Sequence, residues 1–259
     1  MALEQITVVK IGGNVIDNSE ALARFVEAFS KIEGAKILVH GGGKLATRMA
    51  ERLEVPVQMI EGRRITDKAT LDIVTMVYAG LVNKQIVAAL QGAGCNALGL
   101  SGADGHIVKA HRRQPNPIDY GFVGDIDAVD GKLLATLLEA GITPVFSAIM
   151  YDGKESLLNC NADSVAEGLA RGAATLAPTD LVFCFEKRGV LRDAEDNDSL
   201  IERITPSSYP PLKADGVVKG GMIPKIENAL KAVAAGVRRV CIKHADDLLT
   251  EGGTTICND

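Results

Sequence analysis

The sequence predicts an α/β fold organised around a mostly parallel sheet. Short β-branched apolar runs alternate with stretches at helical spacing, the mark of repeated βαβ units. Several of the apolar runs also end in glycine pairs or triplets that open into helices. The chain of 259 residues, 47% hydrophobic and 24% charged with 27 glycines, has the make-up of a globular protein with a large core. Length alone allows one large domain or two fused lobes.

The first strand is ITVVKI, Ile6 to Ile11. Ser19 is expected to cap a helix whose Leu22, Phe25, Val26 and Phe29 repeat at helical spacing, with Gly34 as its stop. KILVH forms the second strand and runs into Gly41, Gly42 and Gly43. A helix follows from about Leu45 to Leu53, ending before Pro56. Thr66 or Asp67 can cap the helix DKATLDIVTMVYAG, and a second helix is expected after Gly80, through Leu90. After NALGLSG, His106 to Val129 reads as hairpins, Lys132 to Ala140 as a helix and ITPVFSAI as one strand. A helix begins near Ala162, the strand APTDLVFCF follows, and Asp193 to Asp198 reads as a solvated acidic loop. Ile223 to Ala235 with RRVCIKH forms a late αβ pair. A boundary near Ala174 to Thr179 separates two αβ blocks.

Composition excludes several classes of function. A net charge of −5 supplies no attraction for nucleic acid or a membrane surface, and 4% aromatics without tryptophan leave no stacking platform. The five cysteines, Cys95, Cys160, Cys184, Cys241 and Cys257, are scattered and contain no C-x-x-C pair. They argue against a disulfide framework or zinc site and for a reducing compartment. The start MALEQITVVKIGG lacks a basic leader region, and no run approaches the ~18 apolar residues of a membrane span. Cytoplasm is the expected location.

Four loops could receive an anion on free backbone N–H groups. In VVKIGGNV, Lys10 lies within an apolar strand; it either snorkels or meets an anionic partner, because burying it unpaired is costly. ILVHGGGK fails as a Walker A loop, since Leu45 follows Lys44 where a hydroxyl residue is needed, and it also fails as G-x-G-x-x-G. What remains is a strand, a glycine turn and a helix start, a geometry able to hold an oxyanion. In NCNAD, Asn159, Asn161 and Asp163 can serve as caps or can neutralise and aim buried lysines. In VVKGGMIPKIENAL, Pro224 and Lys225 fall in the first helical turn, where a cation is disfavoured unless an anion is near.

EGRRIT places Arg63 and Arg64 before a helix, either as an exposed pair or as a bidentate grip on a carboxylate. The histidines form no triad, no G-x-S-x-G elbow is present, and His40 reads as a packed residue. Neither H-E-x-x-H nor a carboxylate comb suggests a protein-held metal.

Taken in order, KIGGN, LVHGGG, GRRIT, LLNCNAD, GGMIPK and the terminal GGTTI resemble the amino-acid kinase family across essentially the whole chain. GRRIT with the N-x-N-A-D segment makes it most similar to the acylglutamate branch. The resemblance implies a three-layer αβα sandwich with a mainly parallel central sheet. Residues 1–176 would form an N-terminal lobe for the acylated amino acid and for dimerisation, and 177–259 a C-terminal lobe for ATP, on one continuous sheet. Lys10 and Lys225 would stabilise the phosphoryl group in flight, and Asp163 would orient both. Backbone amides of Gly12, Gly13 and Gly43 would contact the transferring group. Gly42 and Gly43 would border the substrate, whose α-carboxylate Arg64 and Asn159 would hold. Glu186, Lys187, Gly189, Leu191, Val217 and Lys219 would line the nucleotide.

The implied reaction is ATP-dependent phosphorylation of the γ-carboxylate of N-acetyl-L-glutamate, in arginine biosynthesis, with Mg²⁺ held by the nucleotide phosphates. N-succinyl-L-glutamate is the alternative acceptor, and a non-catalytic metabolite-binding member of the same fold the alternative class. The presence of Lys10, Lys225 and Asp163 together argues against a silent sensor. Two departures from the family pattern stand out. The chain reads FEKRGVLRD where an aspartate and a V-x-G turn are usual, so Glu186 takes the aspartate's place. Only about five residues precede the first strand, where arginine-inhibited members carry a helix, which implies a feedback-insensitive homodimer. Phosphoryl transfer to an ionised carboxylate needs positioning and charge neutralisation, which accounts for the missing general base.

Overall fold

The computed structural model describes residues 3–60, 62–193 and 195–259. The chain opens with β1 (Ile6–Ile11), the single-turn α1 (Gly13–Ile16), α2 (Ser19–Ser30), β2 (Ala35–His40) and α3 (Gly43–Arg52). A small hairpin, β3 (Met59–Ile60) and β4 (Arg63–Arg64), precedes α4 (Lys68–Val74), a π-helical segment Thr75–Val82, and α5 (Asn83–Gly92). Then come β5 (Ala97–Leu100), β6 (Val108–Arg112), β7 (Gly124–Val129), α6 (Gly131–Glu139), β8 (Thr143–Ser147), β9 (Ile149–Tyr151), β10 (Leu157–Asn159) and α7 (Ala162–Ala173). The last stretch holds β11 (Thr179–Phe185), β12 (Arg203–Ile204), α8 (Tyr209–Ala214), α9 (Met222–Ala234), β13 (Arg239–His244) and β14 (Thr254–Ile256).

Eight strands form the central sheet in the order β12-β14-β13-β11-β1-β2-β8-β5. The neighbours run parallel except β13 and β14. β1 and β11 bring the two halves of the chain together at the middle, with Lys10 opposite Phe183 on one side and Val39 on the other. Because these strands are covered on both faces, they read as continuous apolar runs rather than as alternation. On one face Ile6, Val8 and Phe183 pack under α6, α7 and α9. On the other, Val9, Ile11 and Leu38 pack under α2 and the α4–α5 run. The three-layer αβα sandwich is therefore present. A four-stranded sheet, β10-β9-β6-β7, flanks it.

Several elements depart from the sequence expectation. Asn18, not Ser19, caps α2: its Oδ1 accepts from the N–H groups of Glu20 and Ala21. α3 starts at Gly43, inside the glycine triplet. Gly80 breaks nothing: α4, the π-helical segment and α5 form one helical run from Lys68 to Gly92. That run passes a length-and-composition test for a membrane span. It packs on the central sheet through Val74, Val77, Val82, Ile86 and Leu90, as a core helix does. ITPVFSAI is two strands, because the chain leaves the central sheet after Ser147 and joins the flanking one at Ile149. Asp193 and Asp196 form an exposed turn closed on Ser199, while Ala194 lies outside the described residues.

The C-terminus of α2 shows how sheet and helix layers lock together. Lys36 of β2 is buried and its Nζ donates to the carbonyls of Phe29, Ser30 and Ile32 at 2.7–3.1 Å. A cation placed on the last carbonyls of a helix also meets the negative end of its dipole. The same ammonium lies 5.4 Å from the centre of the Phe29 ring, which stacks on Phe25. Phe29→Ala is expected to lower the unfolding free energy by about 3–5 kcal/mol, as for other buried phenylalanines. Urea denaturation checks it, and a loss below about 1 kcal/mol would contradict this packing.

Candidate active site

Lys10, the penultimate residue of β1, points to the face covered by α7 and α9. Asp163 lies in the first turn of α7, and Lys225 in the first turn of α9. The Lys10 Nζ stands 2.7 Å from Asp163 Oδ1, and the Lys225 Nζ donates to Oδ2 at 2.8 Å. The first contact is close but off the angle of a hydrogen bond, so Oδ1 is held by charge alone. All three side chains are only 12–17% exposed. Burial works to raise the Asp163 pKa, but the two ammonium groups overcome it and hold the carboxyl well below the usual carboxylate range. Burial lowers the Lys225 pKa, with Asp163 opposing. Its ammonium also lies over the Phe183 ring at 4.9 Å and near Phe185. Two cations share one carboxylate, which leaves one net positive charge in a nearly dry place. Such a cluster is complete only with an anion.

The NCNAD segment resolves into three separate tasks. Asn161 is the helix cap, accepting from the N–H groups of Asp163 and Ser164. That leaves Asp163 to the lysines. Asn159 is buried, and its Nδ2 donates to Thr66 Oγ1 at 3.0 Å; Thr66 in turn donates to the Arg64 carbonyl.

Beside the cluster lies a cleft of about 190 Å³ that includes Gly42, Gly43, Arg63, Arg64, Tyr78 and Asn159 in its lining. Arg64 is 7% exposed, and its Nη2 donates to the Gly43 carbonyl at 3.0 Å and to Thr47 Oγ1 at 2.8 Å. A guanidinium has five donors in a fixed fork, so others remain for a carboxylate. Arg63 and Arg64 are thus no exposed surface pair. Lys44, the lysine that gives ILVHGGGK its phosphate-loop look, instead donates to Asn14.

Gly13 and Gly43 open α1 and α3, and the N–H of a residue opening a helix has no partner within it. Gly12 differs from the expectation. Its N–H donates to the Cys184 carbonyl at 3.0 Å, extending the β1–β11 ladder by one step. Its amide is therefore occupied by the sheet and does not face an anion.

On the side of the second half-chain, Glu186 follows β11 and is exposed, and its charge raises the Lys225 pKa against the effect of burial. Gly189 is buried where a Cβ would meet Thr254 and Leu200 below 3.0 Å. Leu191 is buried and bridged to Leu200; Lys187 and Val217 are half-buried, and Lys219 is exposed just before the turn into α9. Glu186 is brought into electrostatic reach of the lysine cluster.

Sequence reasoning missed Tyr78, Arg113 and Thr47. Tyr78 and Arg113 line the cleft, and Thr47 holds Arg64. Thr47 stands four residues into a helix and signals nothing locally. Tyr78 carried a signal that was not used: it is a lone polar-tipped ring in a strongly apolar helix.

Comparison with known proteins bears on these features together. The model of the amino acid kinase family matches residues 5–244. The acetylglutamate kinase of Phocaeicola vulgatus is 48% identical over 253 residues, covering 98% of each chain. That of Cytophaga hutchinsonii is 50% identical over 248 residues, covering 95% of this chain and 94% of its own. Among solved structures, smu.665 from Streptococcus mutans UA159 has a TM-score of 0.81 at 31% identity, covering 98% of this chain and 99% of that one.

Removing the shared charge tests the cluster without reference to any reaction. Asp163→Asn leaves two largely buried ammonium groups unpaired, and is expected to lower stability at neutral pH by about 3 kcal/mol. The Asp163 pKa is lowered in the folded state, so its contribution is present above the ordinary value of about 3.9 and fades as pH falls below it. The gap between the two proteins in chemical denaturation should therefore narrow below about pH 4. A pH-independent gap would contradict the pairing.

Proposed function

The chain belongs to the amino acid kinase family, and on that footing we propose that it phosphorylates the γ-carboxylate of N-acetyl-L-glutamate. ATP is the donor, ADP and N-acetyl-L-glutamyl 5-phosphate are the products, and the step is the second of arginine biosynthesis. The observation that carries this reading is Asp163 held between Lys10 and Lys225, next to Ala162 in the lining of an arginine-lined cleft. The names of the Phocaeicola and Cytophaga relatives supply the acyl amino acid.

Each residue then has a task set by charge. Arg64 and Asn159 hold the substrate's α-carboxylate in the cleft, which leaves the γ-carboxylate to point toward the lysines. That carboxylate is already ionised, so attack on the γ-phosphorus requires no base. The new O–P bond forms as the bond to the ADP oxygen breaks, and negative charge spreads over the phosphoryl oxygens in between. The ammonium groups of Lys10 and Lys225 and the N–H groups of Gly13 and Gly43 face that charge, while Asp163 keeps both lysines aimed. Donors fixed before the reaction need no reorganisation during it, which is why they are effective. Among the described residues no three His, Cys, Asp or Glu side chains gather as a metal site. On this reading Mg²⁺ enters as part of the substrate, ligated by the nucleotide phosphates.

The two halves of the chain divide the work on this reading, 1–176 taking the acyl amino acid and 177–259 the nucleotide around Glu186, Lys187, Gly189, Leu191, Val217 and Lys219. Five free thiols support a reducing, cytoplasmic setting. Exposed Met76 and Leu81 on the helical run, with Leu98 on the edge strand β5, support association of two copies through that side.

Incubation with ATP, Mg²⁺, N-acetyl-L-glutamate and hydroxylamine should yield an acyl hydroxamate, with N-succinyl-L-glutamate run in parallel. No hydroxamate from either acceptor would refute the proposal. Lys10→Ala and Lys225→Ala should each lower kcat roughly 10²–10³-fold, by analogy with loss of one oxyanion donor. Arg64→Ala should chiefly raise KM for the acyl substrate, and an unchanged KM would remove it from carboxylate binding. For the oligomer, sedimentation should give twice the chain mass, and Met76→Glu with Leu81→Glu should halve it. A wild-type monomer would dismiss the dimer while leaving the chemistry standing.

A further inference from the structure

The glycine loop Gly41–Gly43 rests on a clamp that none of the kinase chemistry above accounts for. His40, the last residue of β2, is wholly buried. Its Nε2 lies 3.0 Å from Asn83 Nδ2, and its Nδ1 lies 2.8 Å from the Gly41 carbonyl. The orientation of Asn83 follows from its second bond, Nδ2 to the Val145 carbonyl at 2.9 Å, since a carbonyl can only accept. The Asn83 amide therefore donates to Nε2, the ring is neutral, and the Nδ1–H donates to Gly41. Burial, which lowers the His40 pKa to about 4, keeps that neutral form in place. Gly99 makes room for this arrangement, because a Cβ there would fall 1.9 Å from Asn83 Oδ1.

The next glycine is held from below. Gly42 adopts φ +154°, and a Cβ on it would stand 2.9 Å from the Tyr78 ring and 3.4 Å from Val82. Tyr78, Val82 and Asn83 all come from the π-helical segment Thr75–Val82 and the residue after it. In an α-helix, residues five apart are turned well away from one another. The wider π turn, with its i→i+5 hydrogen bonds, brings Tyr78 and Asn83 to the same side. One reaches Gly42 directly and the other reaches Gly41 through His40.

We propose that His40, Asn83 and Tyr78 form a positioning unit, built on the π-helical segment, that aims the Gly43 amide at the acceptor carboxylate. The proposal rests on the kinase reading and adds to it the part that makes a flexible glycine triplet a fixed donor. Three consecutive glycines have more backbone freedom to lose than any other triplet. The clamp removes that freedom before substrate arrives, at the Gly41 carbonyl and beneath Gly42. A displacement of about 1 Å at such a donor is enough for a roughly 10²-fold loss of rate.

The test compares His40→Leu, which fills similar space without either bond, with His40→Asn, whose side-chain amide can still donate near the Nδ1 position. For folded His40→Leu, kcat in the hydroxamate assay should fall about 10–100-fold while KM for ATP stays within about twofold. His40→Asn should recover most of that loss. A His40→Leu protein with kcat within twofold of wild type, or a His40→Asn protein no better than His40→Leu, would overturn the inference. Should His40→Leu not fold, Asn83→Ala replaces it against wild type, with Gly99→Ala as a second displacement of Asn83; unchanged kcat in both would overturn the inference equally. Wild-type protein without activity would instead defeat the kinase reading itself.

Discussion

The site depends on one carboxylate shared by two ammonium groups. Lys10 and Lys225 are like charges in a nearly dry region and would repel one another without Asp163 between them. Satisfying both requires the end of β1, the start of α7 and the start of α9 to meet at one place on one face of the sheet. A parallel sheet accomplishes this because its strands end at the same edge, where the connecting loops gather. β1, β2 and β11 deliver Gly12, Gly41 and Glu186 to that edge, and α7 and α9 begin above it. The fold is thus the means by which residues distant in sequence become one electrostatic unit.

Much of this was legible in the sequence where the signal was local. Alternating strand and helix patterns identified the parallel sheet, and glycines after strands marked the loops. A lysine inside ITVVKI could be read as a buried cation in want of an anion. What was not legible depended on partners far along the chain. Nothing within NCNAD distinguishes the cap Asn161 from Asn159 and Asp163, since all three are helix-start residues. Only Thr66 and the two lysines separate them. Gly12 likewise reads as a free amide until the Cys184 carbonyl of β11 is placed beside it. At Gly80 the local preference lost to tertiary packing, because the helix around it is held against the sheet on one side. That Tyr78 and Asn83 share one side was not legible for a different reason. Their spacing belongs to neither the 3.6-residue nor the two-residue period by which sequence patterns are read.

Hydrogen bonds from opposite sides hold the first half of the site in a single arrangement. Arg64 ties the β3–β4 hairpin to the Gly43 carbonyl, and Thr66, just after the hairpin, is tied to Asn159. From beneath, His40 takes the Gly41 carbonyl. The Gly42 carbonyl between them accepts from the Ala46 N–H as the first rung of α3, so the Gly43 N–H, in the same peptide unit, is one of the helix's unpartnered first-turn donors. A helix start fixed at three successive carbonyls presents its free N–H groups in one direction, which explains how glycines without side chains can still recognise an anion.

The bond from the Gly12 N–H to the Cys184 carbonyl has a further consequence. It makes the turn after β1 and the loop after β11 rungs of one ladder, and adjacent strands lie about 4.8 Å apart whatever their sequence. The separation between the loops of the first and second half-chains is thereby measured by backbone geometry, as on a ruler. Loops between residues 13 and 178 that lie away from this edge can lengthen the route from one side to the other without altering that measure. Variation in the size of the first half of the chain is structurally uncoupled from the distance between these two loops.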